Sequence, residues 1–570
     1  MISVLHWSDY LVVIIYLILL MLLGFYLTRR ASQSIEHFFL GGRKMSWWII
    51  GVSMAATNLS IDTPISITKF IVKEGIGGVW FFWSNAISAV LVTFLFSKLW
   101  RRAEVVTDAE LIELRYSGKS AAFLRLFKGF YFGVIFNAFI MGWVFLALIK
   151  VMSAITTADI SIVLAVTTVL VFAYTLASGF YGVLITDFFQ YFVALGGAIL
   201  LAYFSVQRVG GLDTLISSYQ GDPAIDFIPS YSLSSVDSMV TPFSVFLTYL
   251  FVQWWAHKYA DGGGKHIQRM LSAKNENHSF LGSLLYSFLT YSVQVWPWIV
   301  TVLCGMMILG ETSDPEMIYP LMIKEVLPAG AMGLVLASLL GAFMSTIDTH
   351  LNLGASYMVN DIYKRFWVKD ASAKHYVWVS RLMMAILLLL SIGISLNMTS
   401  VSGAWKFLLT FASGAGLTWI VRWFWWRANA WTEISGMVSS GVIASYIGYF
   451  HSDWLYSTKI LTVVSLSTVI WVVVTFLTPP VKEDVLVGFV KKIRPGSPGW
   501  KKVCDRHDIS QEPFLFRGIA SALIGIVCFF CFNFSVGNFV LGSTALAVGL
   551  MIIAIALFYV LLRQVNLKKV

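Results

Sequence analysis

Apolar residues in this chain fall in long unbroken runs that recur from one end to the other, rather than at the spacing of water-facing helices or strands. Leu11 to Phe25, Ile162 to Ala177 and Ala547 to Leu561 approach the ~20 residues that cross a bilayer as a helix. Lipid offers backbone groups no partners, so a crossing segment is a helix or part of a closed barrel, and the alternating pattern of barrel strands is absent. The pattern predicts an all-α membrane protein of about fifteen segments. They begin near residues 8, 46, 77, 122, 159, 183, 239, 279, 329, 375, 403, 434, 460, 515 and 538.

The polar connections between these runs alternate in charge. Arg29, Arg30, Arg43 and Lys44 follow the first segment, and Arg101, Arg102, Arg115, Lys119, Arg125 and Lys128 the third. Lys265, Arg269 and Lys274 follow the seventh, Lys364, Arg365 and Lys369 the ninth, and Lys491, Lys492, Arg494, Lys501 and Lys502 the thirteenth; Lys568 and Lys569 close the chain. Intervening connections such as Gly210 to Asp237, with Asp213, Asp222 and Asp226, are poor in Lys and Arg. The positive-inside rule places the amino terminus outside and the carboxyl terminus in the cytoplasm of a bacterial inner (plasma) membrane.

Composition agrees with a lipid environment: 58% of residues are hydrophobic, 12% are charged and mean hydropathy is +0.78. The net charge of +10 is accounted for by connections facing anionic lipid, which removes the case for nucleic acid as a partner. Trp47, Trp48, Trp423, Trp425 and Trp426 read as interfacial anchors. The first segment has no preceding Lys or Arg and no small-residue cleavage pattern after it, so it reads as a retained span. Cys528 and Cys531 lie one helical turn apart in an apolar run and read as packing residues.

Two segments carry interruptions. The second has Asn58-Leu59-Ser60-Ile61-Asp62-Thr63-Pro64 at mid-depth, and a break is expected at Pro64. Five segments later the seventh has His257-Lys258-Tyr259-Ala260-Asp261-Gly262-Gly263-Gly264-Lys265. A kinked helix satisfied by its neighbours explains either one alone. Interruptions at matching places of two halves instead point to a transporter's midplane site, with segments two to six and seven to eleven as inverted repeats. The organisation expected is a leading helix and loop (1–45), a first repeat (46–207), an extracellular loop (208–238), a second repeat (239–428) and four further segments (429–570) containing a basic cytoplasmic loop, 481–513.

Ionisable groups inside a membrane are costly, which singles out Asp62, Asp187, Asp261 and Asp348. Asp187 has no cationic neighbour in sequence, so it is expected to bind a cation or a proton. In the ninth segment Ala342, Ser345 and Thr346 share one helical face, and their oxygens with unwound carbonyls would suit Na⁺. Hydroxyls bonded to their own helix are the competing reading.

The stretches Phe38 to Arg43 (FFLGGR) ahead of a Trp pair, Ser53 to Ser60, Thr107 to Tyr116, Tyr181 to Gln190, Gln268 to Lys274 and Ala337 to Tyr363 resemble the sodium/solute symporter family of proline, pantothenate, sialic acid, galactose and glucose carriers. The resemblance implies the leucine-transporter fold with one extra leading helix and extra trailing helices, working by alternating access. It implies a sodium site at the carbonyls of Ala56, Leu59 and Ala342 and the hydroxyls of Ser345 and Thr346, with Asp187 close by and one or two ions per cycle. It implies a solute site at Asp62, Thr63, Asn85, Ser88, Trp254, Trp255, Tyr259 and Asp261.

The function expected is sodium-coupled symport of a small polar organic solute, a sugar, amino acid or organic acid, by a monomer or weak homo-oligomer. Proton coupling through Asp187 and a non-transporting solute sensor stay open. An enzyme is disfavoured, because no HExxH, paired-Cys metal spacing or nucleophile elbow occurs. His350 reads as a packing or hydrogen-bonding residue rather than a proton relay.

Overall fold

The computed structural model describes residues 5–31, 41–229 and 243–564. Phe38, Phe39, Leu40, Asp237, Lys568 and Lys569 lie outside them, as does the boundary expected at 238/239. Among the described residues the chain is helical throughout, and the one β-type pairing is an isolated bridge between Met45 and Ala273. Nine helices there are long and apolar enough to cross a membrane, or ten if the bent pair Val401–Ser413 and Gly416–Phe424 counts as one. The other expected segments coincide with shorter or broken helices, such as Trp47–Asn58 with Asp62–Glu74, and Phe243–Thr248 with Lys265–Ser272.

The fifth and sixth segments run together as one helical stretch, Ile160–Arg208. The hydroxyls of Tyr174 and Thr186 nevertheless touch. Twelve residues of straight helix would hold them about 18 Å apart, so the chain folds back between Ile160–Leu176 and Gly182–Arg208.

The sixth segment packs on the ninth (Ala331–Trp367) and the first (Trp7–Ala31), and the first half of the second packs on the sixth and the eighth (Glu276–Leu309). The last two helices, Phe514–Leu541 and Thr544–Gln564, pair with each other, and the former leans on the third segment, Ile76–Ala103. Outward-facing Leu477 and Val442 are 80% and 65% exposed, as a lipid-facing rim requires. Wide π-helical turns at Val92–Phe96, Tyr131–Phe136, Tyr249–Gln253 and Leu289–Val293 locally underwind four of the inner helices. Such turns concentrate at functional sites, and here Val92 and Tyr291 face the central cavity.

Several basic residues assigned from sequence to lipid-facing connections are buried instead. Arg115 donates to the carbonyls of Arg422 (2.7 Å) and Trp425 (2.8 Å). Arg125 pairs with Asp361 at 2.8 Å and Glu113 at 2.5 Å, and Lys128 lies 3.6 Å from Glu433. Buried charge needs a partner, and sequence charge counts cannot distinguish internal pairing from lipid contact. Trp423, expected at the interface, is also buried, its ring edge-on to Trp100. Cys528 is a packing residue whose thiol donates to the Ala554 carbonyl.

Candidate functional site

The two interruptions meet around one cavity of about 200 Å³. In the second segment, Leu59 leaves the helix at φ −84, ψ 62, with its N–H donating back to the carbonyls of Ala55 (2.9 Å) and Ala56 (3.1 Å). A new helix starts at Asp62. The break therefore precedes Pro64 instead of occurring at it. Pro64 sits in the first turn of the new helix, where a missing N–H leaves no ladder bond unmade. The Thr63 N–H, which would reach Leu59 O in a continuous helix, goes instead to Ser60 O (3.1 Å), the acceptor that Pro64 cannot serve.

In the seventh segment the helix ends at Gln253, whose amide donates to Phe81 O (2.8 Å) and Ser84 Oγ (2.9 Å) while its oxygen accepts from Tyr456 (3.0 Å). The chain is then non-helical until Lys265. Gly264 has φ +67, and a Cβ there would fall 1.9 Å from the Tyr259 ring, so glycine is required for Tyr259 to reach the cavity wall.

Of the expected solute residues, Asp62, Thr63, Asn85, Ser88 and Tyr259 line the cavity; Trp254, Trp255 and Asp261 do not. The Trp255 indole donates to its own helix at Phe251 O (2.8 Å), and its ring packs on the Ala256, Ile460 and Val464 cluster. Asp261 turns away toward Arg422 Nη2 (2.5 Å) and Trp423 Nε1 (2.8 Å), and its backbone carbonyl accepts from Trp100 (2.7 Å). The guanidinium that neutralises it lies 161 residues away, beyond the reach of local reading.

Asp187 is likewise paired, not a lone carboxylate. Arg269 Nη2 lies 2.9 Å from Asp187 Oδ2, and Ser53 and Ser345 donate to the same carboxylate at 2.5 and 2.6 Å. Arg269 also donates to Ser53 (2.8 Å) and Thr349 (2.9 Å). Sequence reasoning left Arg269 in a basic loop; its place one turn into the helix that follows the glycines was the available signal. By contrast, neither carboxylate oxygen of fully buried Asp348 has a partner at full hydrogen-bonding geometry among the described residues.

The cation-site residues lie on facing elements, since the first half of the second segment packs against the ninth. Thr346 lines the cavity and its hydroxyl donates to Ala342 O at 3.1 Å, the intrahelical bond anticipated as the competing reading. Among the described residues no cluster of three His, Cys, Asp or Glu side chains could hold a metal, so carbonyls and hydroxyls are the oxygen set at hand.

The sequence profile of the sodium:solute symporter family matches residues 38–439. The chain belongs to that family. It is thus a multi-pass membrane transporter and not an enzyme. It is 23% identical to the sodium/mannose cotransporter of Bos taurus over 76% of this chain and 77% of that protein. It is 24% identical to the sodium/glucose cotransporter of Vibrio parahaemolyticus over 84% of this chain and 92% of that one. A substrate-bound, outward-open sodium-coupled sialic acid symporter shares the fold, with a TM-score of 0.70 at 21% identity, over 84% of this chain and 99% of that one. Within this symporter the additional helices Phe514–Leu541 and Thr544–Gln564 lie beyond the family match.

Proposed function

We propose that the protein carries a small polar organic solute across a bacterial inner membrane with sodium, by alternating access, with its amino terminus outside and carboxyl terminus inside. Residues 46–207 and 239–428 act as the two inverted repeats of a leucine-transporter fold. Na⁺ is held by the carbonyls of Ala56, Leu59 and Ala342 and the hydroxyls of Ser345 and Thr346. The ion joins the broken second segment to the ninth and so orders the solute residues Asp62, Thr63, Asn85, Ser88 and Tyr259.

The observation that carries this reading is that Thr346, neighbour of Ser345, is itself part of the cavity wall. Ion and solute then share one surface, and binding of one alters the other. The driving force includes about 2.3 kcal/mol per charge for each 100 mV of membrane potential. Asp187, already neutralised by Arg269, serves to orient Ser345, which supports one sodium ion per cycle.

The test uses sodium as its own probe. Purified protein should be stabilised against heat by NaCl but not by choline chloride, and reconstituted vesicles should exchange labelled Na⁺. Ser345→Ala with Thr346→Ala should abolish both while the protein stays monodisperse; a retained sodium response rejects the site. One observation favours proton coupling as a second reading: Asp348 is buried with no partner at full hydrogen-bonding geometry among the described residues, and a buried carboxylate is costly unless a proton or a cation offsets it.

A further inference from the structure

The cavity wall is cationic. Lys258, Lys265, His257, His266 and His350 face it against a single carboxylate, Asp62. The hydrogen-bond network gives His257 and His266 neutral tautomers. His257 Nδ1 accepts from the Tyr259 N–H (3.2 Å), so its proton lies on Nε2, which donates to Ser88 (3.1 Å). His266 Nε2 accepts from the Asn58 amide (3.2 Å). His350 Nδ1 donates to Asn137 Oδ1 (2.7 Å), and its Nε2 has no hydrogen-bond partner among the described residues. With both lysines and Asp62 in their charged forms, the wall carries a formal net charge of +1.

The lysines are not satisfied as a pair. Lys265 Nζ donates to Asn58 Oδ1 (2.7 Å) and Thr57 O (3.3 Å), both neutral. The Lys258 ammonium lies over the rings of Phe136 and Tyr259, 5.1 and 4.8 Å from their centroids, with no hydrogen-bond acceptor among the described residues. Asp62, 3% exposed, accepts from Trp405 (3.1 Å) through Oδ2, and its Oδ1 has no hydrogen-bond partner among the described residues. The cavity thus offers unspent cationic donors on the seventh segment, unspent acceptors at Asp62 Oδ1 and His350 Nε2, and aromatic faces from Phe82, Trp143 and Trp405.

From this we propose that the transported solute is a monoanionic, hydroxyl-bearing carboxylic acid of sugar-acid size, with its carboxylate on Lys258 and Lys265 and its hydroxyls on Asp62 and His350. A volume of about 200 Å³ is below the ~300–1,000 Å³ of drug-sized sites and fits one monosaccharide-sized molecule. A monoanion neutralises the wall, whereas a neutral sugar or a zwitterionic amino acid brings no net charge and leaves a lysine uncompensated within the membrane. The inference rests on the symport reading and gives it an electrostatic basis. With Asp187 neutralised by Arg269, the charge of an arriving Na⁺ beside Thr346 is felt in the cavity and favours an anion there.

The test is a binding panel on the purified full-length protein, in Na⁺ and in K⁺, pairing D-gluconate and D-galacturonate with glucose and galactose, and including proline. The acids should bind at least tenfold more tightly than their neutral partners in Na⁺. Lys258→Gln should remove that preference while sodium alone still stabilises the variant, and Lys258→Arg should restore it. A neutral sugar or proline binding as tightly as the acids, or no acid of the panel binding, overturns the solute class and leaves sodium symport standing. Acids bound equally in Na⁺ and K⁺ uphold the class and overturn the sodium-coupled reading.

Discussion

Arg269 and Asp187 meet at 2.9 Å with both side chains fully buried, and between them they tie the second, sixth, seventh and ninth segments together through Ser53, Ser345 and Thr349. The pair sits directly behind the proposed sodium site, so its integrity sets the position of a ligand hydroxyl.

Breaking one side of such a pair strands the other charge, at about 3–5 kcal/mol. Asp187→Asn and Arg269→Gln should each lower thermal stability markedly, and the double variant should recover part of the loss. Additive losses in the double variant would show that the two charges do not depend on each other.

Asp261 and Arg422 form a buried ion pair outside the cavity lining, at 2.5 Å. Arg422→Met should cost a similar ~3–5 kcal/mol, read as a fall in melting temperature. Trp255→Phe, outside the cavity, should leave solute and sodium affinity within twofold of wild type. A large affinity change at Trp255 would place its indole in the solute path after all.

Glu316, in the connection between the eighth and ninth segments, accepts from Lys150 (2.6 Å), Ser400 (2.8 Å) and Ser402 (2.7 Å). Burial works to raise its carboxyl, but the Lys150 ammonium and these hydroxyls outweigh it and hold the group at about 2, against an ordinary 4.5. A carboxyl held low stabilises the fold above its unfolded value and loses that contribution as pH falls from about 4.5 toward 2. The contribution is on the order of 2–3 kcal/mol at neutral pH. Glu316→Gln should therefore be destabilising at pH 7, with the gap to wild type closing as the pH is lowered through that window. A gap constant with pH would exclude ionic stabilisation by Glu316.

Asp348→Asn separates the coupling ions. Under sodium coupling, the variant keeps wild-type stabilisation by NaCl and folds at least as well, because an unpartnered carboxyl becomes a neutral amide of equal size. Loss of pH-dependent transport with sodium response intact would assign coupling to a proton at Asp348.

Helical membrane architecture was legible because the lipid solvent acts on every residue of a crossing segment, so hydrophobicity alone records it. The interruptions at Leu59–Asp62 and at 254–264 were equally legible, since glycine, proline and polar residues have local backbone consequences. The sequence also brought Asp62, Thr63, Asn85, Ser88 and Tyr259 to notice, all of which reach the cavity.

Which charges are spent was decided only in three dimensions. Asp187 finds Arg269 across 82 residues, Asp261 finds Arg422 across 161, and Arg115 finds its carbonyls across more than 300. Trp254 and Trp255 could not be excluded from the cavity by composition, because the direction of a side chain leaving a broken helix depends on the turns around it. Charge compensation is a matter of distance in space, and chain order carries little of that distance once helices cross a membrane many times. The sequence determined that this protein lives in lipid and breaks two of its helices; tertiary packing determined which ions those breaks leave unanswered.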